Sequence, residues 1–475
     1  MKFVPGVLAV ACALLLASAT SATAAPTQIL PDEFNTTTGP GSQHQTVVEP
    51  DTFANGSTIV AVAQVGRFFD GGSSANGFST STDNGATWVH GILPGITTAA
   101  GGSYDRATDP SIAFDADHGV WLASSLALRN TSSGPTGAAV LTSRSTDGVN
   151  WSNPVTTALA SRRQDFDKNW ITCDNNASSS PFHGTCYTQF DDFGSGNALK
   201  MYYSRDGGLT WNASRVPRAG VIGGQPLVLP NGNVVVPLDN ASETALGYTV
   251  STNGGVKFGQ AFVIDSISAA TDPGGIRSGP LPSAEIGGGK IYVVWEDCRF
   301  RASCSTNDLV YTTSTNGTTW TPVQRIPIDG VGSTVDHFLP GVAVKSDGST
   351  ISVTYYFYTD VGCTPDCQLN VGHISSVNGG TSWSTPTTLN AAPMSLSWLP
   401  DTSQGRMVGD YISSSFAADG NAHPAFALAS SPSGATFSQP LFSDSLTANG
   451  GGVTSADAVV FTGSTSHGSA PFKRR

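Results

Sequence analysis

The sequence predicts an all-β chain folded as a β-propeller of seven blades, each with four antiparallel strands, or of six blades as the alternative. Three observations predict it. A short turn motif recurs seven times along the chain, with pivot residues 83, 147, 206, 253, 316, 378 and 433 spaced by 47 to 64. A second landmark recurs in step with it, at Pro50, Pro110, Trp170, Pro226, Pro282 and Pro340, spaced by 56 to 60. No stretch carries a helical 3.6-residue apolar period over 11 residues. One hairpin signal per repeat of roughly 50–60 residues is the pattern of a propeller.

The turn motif is complete in Ser204-Arg205-Asp206-Gly207-Gly208-Leu209-Thr210-Trp211 and in Ser81 to Trp88. Asp206 can accept from the backbone N–H groups of its own turn. Gly208 supplies the positive φ that a tight hairpin needs. Trp211 opens the next strand with a large ring to pack. Shorter copies centre on Asp147, Asn253, Asn316 and Asn378, with a faint one at Ser433. Behind each landmark runs a short apolar strand, a polar turn, and a stronger strand such as Thr58 to Ala63, Lys290 to Trp295 or Ile351 to Tyr356. The order is therefore innermost strand, turn, second strand, variable loop, third strand, motif, outer strand. Tyr411 opens the last unit after a longer insertion.

Residues 1–25 read as a signal peptide, with Lys2 at its positive end, an apolar core from Val7 to Ala17 and a small-residue cleavage site at Ala22-Thr23-Ala24. Residues 26–45 form a lead-in, and 46–475 form one propeller with a C-terminal closing segment. The segment Asp457 to Phe461 is the favoured closing strand. Cys12 leaves with the leader, and the other six cysteines suit local disulfides 173–186, 298–304 and 363–367 in an exported chain. A zinc site on Cys363 and Cys367 with His373 is the rival for the last pair. The net charge of −12 with only 12% charged residues argues against nucleic acid as a partner. No segment after the leader is apolar for long enough to insert in a membrane. A secreted, extracellular monomer is expected.

The motif copies resemble the Asp boxes, or BNR repeats, of the sialidase (neuraminidase) superfamily, over residues 45 to 440. The resemblance implies a propeller acting on glycans, as an exo-glycosidase of sialidase type. It also implies an arginine triad for the substrate carboxylate, a Tyr nucleophile helped by a Glu, and an Asp general acid. Arg67 and Asp70 match the places of a triad arginine and the acid, and Tyr411 matches the nucleophile. The first triad arginine is missing, since Val48-Glu49-Pro50 stands there, and Gln225 stands in place of the Glu. Arg325-Ile326-Pro327 spells the arginine's motif on an outer strand, where it reads as coincidence. Arg277, Arg299 and Arg301 are candidates for the other arginines.

The two faces of a propeller divide the work. The Asp boxes lie on one, so Asp83, Asp147 and Asp206 are scaffold. The other carries residues just before each innermost strand and just after each second strand. Before the innermost strands come Glu49, Asp109, Asp167, Lys168, Gln225, Asp336, His337 and Asp410; after the second strands come Asp191, Asp192, Asp239, Glu296, Asp297 and Tyr358. Each alone is an ordinary turn or solvated residue, but their recurrence at one level of the ring makes a site. Glu49 in place of an arginine is expected to repel an acidic sugar. Two other readings stand beside the enzyme. One is a non-catalytic propeller that binds carbohydrate or protein. The other is an interaction module with calcium on Asp109, Asp167, Asp336 and Asp410; no other cofactor is expected.

Overall fold

The computed structural model describes Met1 and residues 25–34, 41–161, 163–176, 179–360, 362–363, 366–450, 453–454 and 471–472. The expected leader and the segment 457–461 lie outside the described residues. What is described is strand and loop, with five short 3₁₀ turns. No helix among these residues is long and apolar enough to cross a membrane.

The strands build an antiparallel β-propeller, but the blade count differs from both expected numbers. Five separate blades of four or five strands stand beside one sheet of eight strands. The chain therefore does not form seven separate four-stranded blades, nor six. The strands Ser42–Asn55, Thr58–Phe68, Ser73–Ser81 and Val89–Ile92 share the eight-stranded sheet with Arg106–Asp115, Val120–Thr131, Gly134–Ser145 and Val155–Leu159. Its two halves join through one pair, Ser73 with Ala107. The Ser73 hydroxyl reinforces that joint, lying 2.7 Å from the Ala107 carbonyl oxygen. A repeat in sequence counts hairpins. It does not register a hydrogen bond that fuses two neighbouring hairpin units at their inner ends.

Strand number departs from four elsewhere too. Val221–Ile222 and Leu227–Val228 both pair with Val234–Asn240, because Gly223 at φ 68° and Gly224 interrupt the innermost strand. The last blade comprises Ser413–Phe416, Ala422–Ala427, Leu441–Ser443 and, as its outer strand, Thr27–Leu30. The outer strand that joins the two ends of the chain thus comes from the lead-in, pairing Thr27 with Ser443 and Leu30 with Leu441.

The core sits between adjacent blades. Val60, Val62 and Phe78 pack with Ile112, Trp121 and Leu141. Phe338, Tyr356 and Tyr358 pack with Ile412 and Phe426. Ile29, Leu30, Val47 and Val65 pack with Ala425 and Leu441 across the seam where the ends meet.

The Asp boxes hold their own turns with side-chain bonds, as their residue types require. Asp206 accepts from the Thr210 N–H at 2.9 Å and from the Thr210 hydroxyl at 2.6 Å, and Ser204 donates to it at 2.8 Å. Asp83 repeats this set with Thr87 and Ser81, and its bonds to Thr87 hold its pKa down to about 2. Asn253, Asn316 and Asn378 accept the same backbone bonds without the charge. The copy at Ser433 keeps only a turn, in which Ser433 and Thr436 bond each other's backbone. The three expected disulfides are present at 173–186, 298–304 and 363–367. Cys363 and Cys367 bond each other, so neither offers a thiolate to zinc.

Packing at the seam can be tested at one residue. Leu30 is buried and its Cδ2 covers the space beside Gly77 on the neighbouring strand. Leu30→Ala is expected to cost about 2–5 kcal/mol, read by urea denaturation with the slope unchanged. A loss under about 1 kcal/mol would mean that the seam does not contribute to global stability.

Candidate functional site

The site begins with a recurrent kink. Four innermost strands slip register at the same place: between Val48 and Asp51, Thr108 and Ser111, Asp167 and Trp170, and Phe338 and Gly341. Each slip holds a non-glycine residue in the left-handed region: Glu49 at φ 55°, Asp109 at 42°, Lys168 at 50° and Leu339 at 49°. Such a bulge bends the strand and re-aims a side chain, at a cost of order 1–3 kcal/mol per strained residue. Three of the four residues so placed are ionisable, and all three line one cavity of about 660 Å³.

That cavity gathers most of the expected site residues. Arg67, Asp70, Asp109, Asp167, Lys168, Arg277 and Asp410 line it, together with Glu49. No Asp-box aspartate does. Arg277 pairs with Asp410, and its backbone N–H donates to the Arg406 carbonyl oxygen at 2.6 Å. The Arg67 guanidinium donates to the Gly72 carbonyl oxygen at 2.7 Å. Gln64 bonds Glu49 and donates to the Thr108 hydroxyl at 2.7 Å. Tyr411 lies beneath the cavity floor, buried, with its hydroxyl 3.4 Å from Asp109 Oδ1. The Lys168 ammonium lies over the Tyr411 ring, 3.3 Å from its centre, and Trp170 meets that ring edge-on.

The electrostatics separate these groups by environment. Burial pushes the Glu49 carboxyl well above the usual range, and neighbouring Asp109 and Asp410 add to the shift. Burial likewise raises Asp109, and it raises Asp167 to about 7 with the help of Asp109. For Asp410, burial pushes up too, but Arg277 outweighs it and holds the carboxyl below its ordinary value. The same upward shift weakens the repulsion of an acidic ligand expected at this position. Asp70 stands at the rim, half exposed, bound to Arg106 at 2.5 Å. That contact holds its pKa down and keeps it ionised, the wrong state for a proton donor.

Other expected residues are placed elsewhere. Gln225 accepts from the Ala284 N–H at 2.6 Å and ties two blades together. Arg299 is engaged by Asp297 at 2.8 Å and Asp265 at 3.2 Å. Asp336 accepts from the Asn307 N–H at 2.7 Å, and His337 sits beside Asp329; neither lines the cavity. Arg301 and Arg325 are consumed by Asp308 and Asp329. Among the described residues, two arginines and a lysine line the cavity, not three arginines. None of the four expected calcium ligands belongs, among the described residues, to an acidic group within reach of one ion.

The cavity also holds residues that the sequence did not reveal. Glu243 and Phe193 lie in loops without a repeat signature. Ser403 and Gln404 belong to a hairpin of Asp401–Thr402 and Gly405–Arg406, inside the insertion before Tyr411. Arg106, the partner of Asp70, opens the innermost strand Arg106–Asp115, ahead of the Pro110 landmark and without a repeat signature.

No family model matches the chain, and no curated protein matches it. Among solved structures, it is similar to a Hadza microbial sialidase at 16% identity and TM-score 0.44, covering 66% of this chain and 64% of that one. It is similar to Trypanosoma rangeli sialidase in complex with sialic acid at 14% identity and TM-score 0.44, covering 71% and 55%. A mutant of NanB sialidase from Streptococcus pneumoniae has 13% identity and TM-score 0.40, covering 93% and 72%. The chain thus spans less than two thirds of the first two sialidases. At these identities and scores, the activity of those proteins does not carry over to it.

The buried carboxyls predict how stability depends on pH. Burial raises Asp51 to about 6, Asp167 to about 7 and Asp336 to about 8. Between about pH 4 and 8 the folded chain holds protons that the unfolded chain has released, so stability falls as pH rises through that window. The melting temperature is expected to be more than about 5 °C higher at pH 5 than at pH 8.5. An equal or higher value at pH 8.5 would show that these groups titrate normally.

Proposed function

We propose that the cavity binds the terminal, carboxylate-bearing sugar of a glycan and hydrolyses its glycosidic bond, making the chain an exo-glycosidase. One observation carries this reading: two arginines and a lysine meet in a single buried cavity with carboxyls whose proton affinities are driven apart. Such divergence assigns acid and base roles within one site. Arg67, Arg277 and Lys168 supply the positive field for a sugar carboxylate, with Arg277 steadied by Asp410. Glu49, in its protonated form, adds a hydrogen-bond donor. Asp167 is protonated near neutrality and takes the general-acid role in place of Asp70, giving its proton to the departing oxygen. Tyr411 is the nucleophile at the anomeric carbon, with Asp109 accepting the phenolic proton. The raised pKa of Tyr411, from burial and then from Asp109, makes that acceptor necessary. Water then releases the sugar, with the ionised Asp167 as base.

The Lys168 ammonium over the Tyr411 ring favours a second reading. If the lysine stays there, the phenol is shielded and the cavity binds glycans without cleaving them. Three disulfides fit an oxidising compartment, which supports a place outside the cell for the mature chain.

Fluorogenic glycosides of sialic acid and of glucuronic acid test the proposal. Release is expected, with kcat/KM falling as pH rises through about 7, because the donor loses its proton there. Asp167→Asn and Tyr411→Phe should each lower kcat by at least about 100-fold with the fold intact. Full activity in Asp167→Asn would overturn the acid assignment. Saturable binding of the same sugars by calorimetry, without release, would establish the binding module instead.

A further inference from the structure

We propose that Asp308, Asp329 and His337 form a binding site for a divalent first-row transition-metal ion, outside the sugar cavity. Asp308 opens the strand Asp308–Ser314 of one blade, and His337 lies on the strand Asp336–Val344 of the next. Asp329 stands on the loop between them. One oxygen of each carboxylate and one imidazole nitrogen lie within 4.8 Å of one another, a span that a single ion can bridge. Asp308 and His337 are 1% and 2% exposed.

The hydrogen bonding around these groups is lopsided. Asp308 Oδ1 and Asp329 Oδ1 are both taken by the guanidiniums of Arg301 and Arg325, at 2.5 to 2.7 Å. The second oxygen of each, Oδ2, has no hydrogen-bond partner, and neither has His337 Nδ1. Orphaned buried polar atoms are costly, and native proteins pair nearly all of them. Here the orphans belong to three residues that share one small space. His337 Nε2 faces Asp329 Oδ2 at 3.9 Å, too far for a hydrogen bond. The imidazole is fixed by ring contacts to Tyr355 and Phe357.

The donor set selects the ion. An imidazole with two carboxylates suits zinc, iron, cobalt or manganese, whereas calcium takes six to eight oxygens. The arginines act as the outer shell that orients the two carboxylates. They also cancel the carboxylate charge, so coordination to the imidazole, and not net charge, holds the ion. This cluster is independent of the glycosidase reading.

The chelator-treated full chain should be titrated with cobalt(II) chloride, followed by visible absorption, and with zinc chloride, followed by calorimetry. One ion per chain is expected, with visible bands from bound cobalt that zinc abolishes and calcium chloride does not. His337→Ala and Asp329→Asn should each weaken binding at least about tenfold. Asp329 is partly exposed, so its variant tests the site even if His337→Ala fails to fold. The proposal is overturned if no saturable binding occurs, if both ions bind Asp329→Asn as tightly as the natural chain, or if calcium competes equally. Water would then satisfy the orphaned atoms.

Discussion

The candidate site depends on one backbone constraint: a residue with positive φ at the bulge of an innermost strand. An unbroken strand would send alternate side chains to its two faces and none squarely to the ring's end. The bulges at Glu49, Asp109 and Lys168 break that alternation and bring charged groups to one level. Non-glycine residues in this region are strained, so the surrounding sheet must hold them there. The equivalent bulge at Leu339 carries an apolar residue and joins the core beside Phe338. The same backbone device thus serves chemistry in three strands and packing in a fourth.

Burial then does what charge alone would not. Counted from its formula, the mouth of the ring is acidic. In the folded chain burial raises the proton affinity of Glu49, Asp109 and Asp167, which shifts the cavity toward less negative charge than its composition. Asp410 stays ionised because Arg277 sits against it. Asp167 is raised by burial and then by Asp109, with no ion pair to an arginine against it. Two aspartates facing one cavity are therefore shifted in opposite directions by their different neighbours.

Much of the architecture was legible because it is local. The Ser-Asp-Gly-Trp turns owe their shape to bonds among their own residues, so those residues announce them, and each lies where the sequence places it. The disulfides were legible for the same reason, each closing a short loop. The level of the site was readable from position within the repeat, which brought Arg67, Asp109, Asp167, Lys168 and Asp410 together. What stayed hidden is non-local. The Ser73–Ala107 pair that fuses two sheets leaves no mark in either strand. The partners of Asp70, Arg299 and Arg325 decide whether those residues are free to act, and partners are set by packing. The spelling Arg325-Ile326-Pro327 shows the limit: a motif can be present while its arginine is locked inside the protein by Asp308 and Asp329.

The seam where residue 27 meets residue 443 has a kinetic meaning. Nearly the whole chain separates the two strands, so this contact has the highest loop-closure cost in the fold and forms last. Until then the strand Leu441–Ser443 presents an open edge, the kind that pairs with foreign chains. A newly made molecule is therefore vulnerable for as long as its two ends remain apart. Once they join, Thr27–Leu30 covers that strand and becomes the outer edge in its place, so four residues near the start of the described chain shield the longest-range closure in the fold.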